Sequence, residues 1–171
     1  MKVKEYKGQS GALNEHFADV FGVIINAKIN NPANPYMIGS SIIYGEYAQK
    51  AKALRDMMDP SKGLSPQSSH MKQVTTEGAA YSKYDTSCVA SRDNDNCGVH
   101  VLSGIPNKAS ALIMSAIGFD ESAKLFYNVM TKGMSKNSNF KDYRVALMKE
   151  CENFSSDTCD IVDDALKSVG L

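Results

Sequence analysis

The stretch S-G-A-L-N-E-H-F-A-D-V-F-G, residues 10 to 22, is typical of the first turns of an amphipathic helix. Its apolar side chains recur with the helical period of 3.6 residues; they are Leu13, Phe17, Val20, Phe21 and Ile24. The polar face carries two carboxylates one turn apart, Glu15 and Asp19, which repel each other when both are ionised. Either solvent or a lysine elsewhere offsets that repulsion, or the pair serves a metal cation that reverses it. The spacing alone does not decide between these interpretations.

Length and charge narrow the possible functions. A chain of 171 residues with 43% apolar composition predicts one domain over residues 1–171 with a sizeable core. Basic and acidic residues balance at 19 each, which favours neither nucleic acid nor an anionic membrane surface as partner. No apolar run approaches the roughly 18 to 20 residues that span a bilayer, and the polar start M-K-V-K-E-Y-K-G-Q lacks the apolar middle of a signal peptide. We therefore expect no nucleic-acid and no membrane partner.

The four cysteines fall into two short-range pairs, Cys88 with Cys97 and Cys151 with Cys159. Each pair lies in loop-like sequence rich in Ser, Asp and Asn, which indicates two local disulfides and an oxidising compartment. A zinc site is the alternative, but neither pair has C-x-x-C spacing.

The remaining pattern predicts a mainly α-helical fold with one long loop region. The first helix follows Gly8 and ends at N-N-P-A-N-P, residues 30 to 35, because proline removes a donor and restricts its neighbour. A second helix is predicted from near Gly45 to the residue before Asp59. Residues 59–99 are predicted to be a long irregular excursion with at most short helical turns, and a connection of that length is usually functional. Four amphipathic helices follow; they are predicted at 106–117, 120–132, 138–153 and 157–169.

A second stretch, D-N-D-N-C-G-V-H-V-L-S-G-I-P-N-K-A at residues 93 to 109, places a histidine just after a loop. Asp95 precedes His100 by five residues. A carboxylate beside a loop histidine favours the charged imidazolium, which is a good donor to an oxygen that gains negative charge. The alternative is an ordinary capping or surface histidine.

Taken together with three shorter motifs, these two stretches resemble the helical C-terminal domain of the thermolysin-like neutral zinc metallopeptidases. The shorter motifs are L-R-x-M-x-D-P (54 to 60), S-N-F (138 to 140) and A-x-x-x-V-G (165 to 170). The resemblance extends from about Tyr6 to the last residue. It implies a secreted metalloendopeptidase that hydrolyses peptide bonds with a catalytic zinc ion.

The resemblance also implies roles for individual residues. Glu15 matches the third protein ligand of the zinc, and Asp19 matches a carboxylate that hydrogen-bonds one of the two zinc-binding histidines. His100 matches the histidine that stabilises the tetrahedral intermediate, and Asp95 matches the acid that orients it. Tyr6 matches a tyrosine that contacts the same oxyanion.

Substrate-binding positions follow from the same resemblance. Arg55 matches the arginine that binds a backbone carbonyl of the substrate. Leu54, Ile38 and Ile42 match the walls of an apolar pocket for the side chain just after the scissile bond. Their apolar character implies a preference for Leu, Phe or similar residues there.

One departure concerns catalysis. The family mechanism requires H-E-x-x-H on a helix, which supplies two zinc ligands and the general base. The histidines of this chain are His16, His70 and His100, and none belongs to such a motif. His16 lies about 100° around the helix from Glu15 and should not reach the same ion. We therefore expect this chain alone to be inactive, to hold zinc weakly, and to need an N-terminal domain that carries the motif.

A second departure concerns calcium. The family's double calcium site draws on several carboxylates, whereas the matching positions here are Asn26, Pro35, Met37 and Ser40. Hard cations require clusters of anionic oxygens, so we expect this calcium site to be absent.

Two functions remain open. In the first, the chain is the C-terminal domain of a secreted zinc endopeptidase and completes a cleft with its missing N-terminal domain. In the second, it is a catalytically incompetent thermolysin-like domain that binds peptides or a protease. The first is favoured because the chain retains five polar residues that a domain without catalysis does not need; they are Glu15, Asp19, Arg55, Asp95 and His100.

Overall fold

A long first helix organises the structure, a computed structural model that describes residues 6–171; the start M-K-V-K-E lies outside the described residues. Helix α1 (Gly8–Asn30) has the predicted extent. It ends because Asn31 adopts the left-handed conformation (φ 43°) and its N–H donates to the carbonyl of Ala27 at 3.1 Å. Pro32 follows, and α1 cannot continue through it.

The predicted second helix is wrong except for one turn. Helix α2 covers only Tyr47–Lys50, and residues further along form strand β2 (Arg55–Asp56), antiparallel to β1 (Met37–Ile38). In this two-stranded sheet Met37 pairs with Asp56 and Ile38 pairs with Arg55.

The burial pattern explains why these helix-forming residues are extended. Ala51, Ala53 and Met57 are buried, while Lys52 between the two alanines is exposed. This alternation has the period of a strand rather than of a helix. Tertiary packing therefore overrides the helix propensity of alanine and lysine here.

The excursion predicted over residues 59–99 contains only short elements up to residue 94, and the next helix begins inside it, at Asp95. Helix α3 (Lys72–Thr75) is a single turn. Three 3₁₀ turns accompany it; they are Pro60–Lys62, Ser82–Tyr84 and Arg92–Asn94.

The C-terminal part is helical, and the prediction of a mainly α fold is confirmed. It comprises α4 (Asp95–Leu102), α5 (Gly104–Asn128), α6 (Phe140–Cys151) and α7 (Ser156–Ser168). Within α5 the predicted break at Gly118 is present, because Gly118 has a non-helical backbone (φ 78°, ψ 167°) that separates two helical segments. A π-helical turn, Val129–Gly133, ends α5. Asn139 and Asp142 form a capping box at the start of α6.

Both predicted disulfides are present, and all four cysteines are paired. Cys88 is bonded to Cys97, and Cys151 is bonded to Cys159. The alternative of a cysteine zinc site is therefore wrong.

The hydrophobic core lies between α1 and the C-terminal helices. Leu13 and Val20 of α1 are fully buried, as are Phe126 of α5 and Leu147 of α6. The opposite edge of α1 faces the sheet and the start of α4, and this edge carries the polar residues of the motif. Within residues 6–171 no helix is both long and apolar enough to cross a membrane.

Candidate functional site

Three polar side chains from separate parts of the chain meet at the exposed edge of α1. The hydroxyl of Tyr6 donates to Glu15 Oε1 at 2.6 Å. His100 Nε2 lies 3.4 Å from the Tyr6 hydroxyl oxygen and 3.4 Å from Glu15 Oε2. The structure thus brings together three residues that sequence motifs place up to 94 positions apart. A hydroxyl and an imidazole at this separation can both donate to one oxygen that lies within reach of the two groups.

Asp95 holds His100 through both of its carboxylate oxygens. Asp95 Oδ2 accepts the backbone N–H of His100 at 2.8 Å, and Oδ1 lies 2.6 Å from Nδ1 of the ring. A carboxylate oxygen only accepts, so Nδ1 is the donor of that bond. The ring is thereby oriented with Nε2 towards Tyr6 and Glu15.

Arg55 offsets the repulsion between the two carboxylates of α1. Its Nη1 donates to Asp19 Oδ1 at 2.7 Å, and its Nη2 lies 4.0 Å from Glu15 Oε2. Asp19 is buried, and among the described residues its ion-pair partner is an arginine rather than a lysine. This arginine lies 36 positions away and is delivered by strand β2.

The environment changes the acidity of two of these groups. Burial raises the pKa of the Asp19 carboxyl above its ordinary value, and the attraction of the Arg55 guanidinium acts in the opposite direction. Desolvation, followed by the bond to the Glu15 carboxylate, raises the pKa of the Tyr6 hydroxyl to about 12. Tyr6 therefore remains a neutral donor throughout the physiological pH range.

Behind Asp19 lies a buried hydrogen-bonded chain that the sequence motifs did not reveal. Asn107 Nδ2 donates to Asp19 Oδ2 at 2.8 Å, so Asn107 Oδ1 is the atom that faces His16 Nδ1, also at 2.8 Å. On the other side of the ring, His16 Nε2 lies 2.8 Å from the Tyr143 hydroxyl. That hydroxyl lies 2.9 Å from Ser110 Oγ. Because the side-chain oxygen of Asn107 can only accept, Nδ1 of His16 is the ring nitrogen that carries the proton in that contact.

The position of His16 contained a signal for this network. His16 follows Leu13 by three residues and precedes Phe17, so the helical period places it on the buried face of α1. It is fully buried, on a different side of the helix from Glu15. His16 thus packs into the core, where complete burial also raises the pKa of its partner Tyr143.

The three residues predicted to line an apolar pocket lie around one glycine. The backbone N–H of Leu54 donates to the carbonyl of Ile38 at 3.0 Å. A side chain at Gly39 would lie 3.1 Å from Leu54 Cβ and 3.6 Å from Ile42 Cδ1, so all three residues are neighbours. Ile42 is 63% exposed, and together they form an open apolar wall beside Arg55.

A metal ion would find only part of a site here. Among residues 6–171 no group of three or more His, Cys, Asp or Glu side chains is arranged to hold a metal. Asp19 accepts hydrogen bonds on both oxygens, whereas Oε2 of Glu15 lies 3.4 Å from His100 Nε2 and 4.0 Å from Arg55 Nη2. Catalytic zinc sites use three protein ligands, and the described residues gather no such set.

The chain matches known proteins over nearly its whole length. Residues 4–171 match the family model described as the α-helical domain of thermolysin metallopeptidases. The chain is 32% identical over 168 residues to a zinc metalloproteinase of Listeria monocytogenes, and the match covers 98% of this chain but 29% of that protein. It is 32% identical over 167 residues to an extracellular elastase of Staphylococcus epidermidis, over 97% of this chain and 28% of that protein.

A solved structure shows the same fold. The precursor of protealysin, a metalloproteinase from Serratia proteamaculans, superposes with a TM-score of 0.75 at 26% sequence identity. The match covers 98% of this chain and 51% of that one. The chain therefore spans less than a third of the two curated relatives named above and about half of this structural neighbour.

Proposed function

The chain belongs to the α-helical domain family of the thermolysin metallopeptidases, and we therefore propose that it supplies one zinc ligand and the oxyanion donors of a secreted endopeptidase. The observation that carries the proposal is the meeting of Glu15, Tyr6 and His100 at one exposed point, with Asp95 holding the imidazole. We treat residues 1–171 as one domain whose remaining catalytic groups come from a partner domain.

The proposed division of labour follows the contacts. Glu15 would hold the zinc together with two histidines of H-E-x-x-H, and bound zinc would act as a Lewis acid. Tyr6 and His100 Nε2 donate to the substrate oxygen on which negative charge develops. Asp19 lies one turn from Glu15, where a carboxylate can orient a zinc-binding histidine.

Arg55 and the apolar wall would bind the substrate. Arg55 Nη1 is engaged by Asp19, whereas Nη2 lies 4.0 Å from Glu15 Oε2, beyond hydrogen-bond distance, so Nη2 could donate to a peptide carbonyl. Ile38, Leu54 and Ile42 offer apolar contact to the residue that follows the scissile bond, which favours Leu or Phe there. Peptide or protein substrates would lie between this wall and the N-terminal domain.

Secretion and the absence of the family's double calcium site complete the proposal. Two disulfides and relatives named extracellular elastase support an oxidising, extracellular location. The stretch that includes Asn26 and Met37 offers few anionic oxygens, so calcium should neither bind there nor stabilise the fold.

The test compares this chain with a longer protein that adds the coding region upstream of it. We expect the longer protein to bind one zinc ion in calorimetry and to cleave a peptide with a Gly-Leu bond, in a reaction that chelators stop. The chain alone should bind zinc weakly and leave the peptide intact. Tight stoichiometric zinc and chelator-sensitive cleavage by the chain alone would refute the proposal. Peptide binding without H-E-x-x-H upstream would instead support a peptide-binding module.

In the longer protein, His100→Ala is expected to lower kcat by about 10² to 10³-fold, because one oxyanion donor is removed. KM should change less than kcat, since the donor acts mainly on charge that develops during the reaction. His70→Gln is a matched control, because His70 packs on Gly170 rather than on the site and bonds the N–H of Lys72. Equal loss of activity in both variants would contradict the role of His100.

A further inference from the structure

The turn that delivers Asp95 to His100 has an unusual backbone. Four consecutive residues, Asp95 to Gly98, have positive φ angles of 56°, 49°, 64° and 71°. Left-handed backbone is unfavourable for residues other than glycine, and asparagine and aspartate tolerate it best among the others. Cys97 belongs to neither group, so this position needs external support.

The Asp95–His100 pairing depends on this turn. In a right-handed helix, two residues five positions apart lie about 140° from each other around the axis and do not share a face. The left-handed turn reverses the chain instead, so that the Asp95 carboxylate reaches both the backbone N–H and Nδ1 of His100. If the turn relaxed, both bonds would be lost together.

Four contacts hold the turn in place. Cys97 is joined to Cys88, nine residues earlier, and its N–H donates to Asn94 Oδ1 at 3.0 Å. The N–H of Asn96 donates to the carbonyl of Ser91 at 2.8 Å. Gly98 lies against the ring of Tyr84, where a Cβ atom would approach ring carbons to 2.6 Å. Cys97 is buried, and the disulfide links this residue, for which the left-handed conformation is the least favourable of the four, to Cys88 outside the turn.

We propose that the Cys88–Cys97 disulfide is a positioning element for His100. By holding Cys97 in the left-handed conformation, it keeps the Asp95 carboxylate on the imidazole and directs Nε2 at Tyr6 and Glu15. The cross-link acts by removing alternative conformations of the turn. The importance of this positioning for catalysis rests on the proposed function, in which His100 is an oxyanion donor. The positioning itself can be observed without catalysis.

The test uses ¹⁵N NMR of the histidine side chains in the chain itself. All variants carry Cys151→Ala and Cys159→Ala, so that Cys88–Cys97 is the single disulfide. Asp95→Ala defines the spectrum of a His100 ring that no carboxylate holds, because alanine has no acceptor for Nδ1. We expect Cys88→Ser to shift the His100 Nδ1 signal to that of Asp95→Ala, and Cys88→Ser with Cys97→Gly to restore it, because glycine adopts positive φ without support. The buried ring of His16 reports that each variant is folded.

Two results would overturn the proposal. An unchanged His100 signal in Cys88→Ser would mean that the hydrogen bonds of the turn and the Tyr84 contact are sufficient without the disulfide. If Cys97→Gly does not restore the signal, the cross-link does not act by holding residue 97 in the left-handed conformation. If Cys88→Ser does not fold, Cys88→Ser with Cys97→Gly is compared with Asp95→Ala instead: a folded chain with the parent signal supports the proposal, and a folded chain with the Asp95→Ala signal overturns it. If the longer protein does not cleave the peptide but the His100 signal changes as expected, the proposed function is rejected and the positioning role of the disulfide stands.

Discussion

Replacement of Arg55 by alanine is expected to lower the free energy of unfolding by about 3–5 kcal/mol near neutral pH, because it leaves a buried carboxylate without its partner. The Asp19 side chain is 7% exposed, and only Asn107 would remain as a donor. Chemical denaturation of the 171-residue chain measures the change directly. The double variant Arg55→Ala/Asp19→Asn should recover much of the loss, since the uncompensated charge is then removed as well.

This loss should depend on pH in a defined direction. Burial already raises the pKa of Asp19, and removal of the opposing guanidinium raises it further. A group whose pKa is higher in the folded than in the unfolded state contributes stability at low pH and loses it as pH rises through the folded value. The deficit of Arg55→Ala should therefore be small below pH of about 4 and grow towards neutral pH. A deficit that does not change over this range would contradict the buried-charge explanation.

Lys62→Ala is the matched control for charge removal. Lys62 also pairs with an aspartate, Asp59, at 2.9 Å, but both side chains are well exposed. Exposed ion pairs contribute little to stability, so this variant should unfold almost as the parent chain does. A loss as large as that of Arg55→Ala would show that charge rather than burial is responsible.

Replacement of Glu15 by glutamine, in the longer protein, is expected to lower zinc affinity by more than about 100-fold and to reduce peptide cleavage to background. Residues that only orient zinc ligands cost about 10 to 100-fold when mutated, and a direct ligand should exceed that range. The fold should be unaffected, because glutamine can still accept from Tyr6 and the repulsion with Asp19 disappears. Metal content and unfolding measured on the same variant separate the two effects.

Variants of two further acidic residues provide a scale for the loss of zinc affinity in Glu15→Gln. Asp19→Asn should fall within the 10 to 100-fold range, about as expected of a carboxylate that orients a ligand. Asp160→Asn changes an exposed acid of α7, far from the motif, and should leave zinc affinity unchanged. Retention of zinc by Glu15→Gln would remove Glu15 from the proposed ligand set.

The family resemblance named residues that lie close together in the structure, but it did not predict which element carries Arg55. The stretch at 45–58 contains good helix formers, and its composition therefore predicts a helix. In the structure, β1 pairs with 55–56, and this pairing delivers Arg55 to Asp19. The alternation of Ala51, Lys52 and Ala53 was a period-two signal, but it is too short to outweigh propensity without knowledge of the neighbouring strand.

Local features of the chain were sufficient to predict the helical class, the end of α1 and the two disulfides, because these depend on period, proline and cysteine spacing. The roles of the polar residues follow from the family resemblance and stay predictions. The left-handed turn at Asp95–Gly98 and the buried chain from Asp19 through Asn107 to His16 became visible in the folded molecule alone. Both depend on contacts between distant segments. The cost of a left-handed cysteine or of a buried carboxylate is offset only by partners that the folded chain brings to it, and no local pattern specifies those partners.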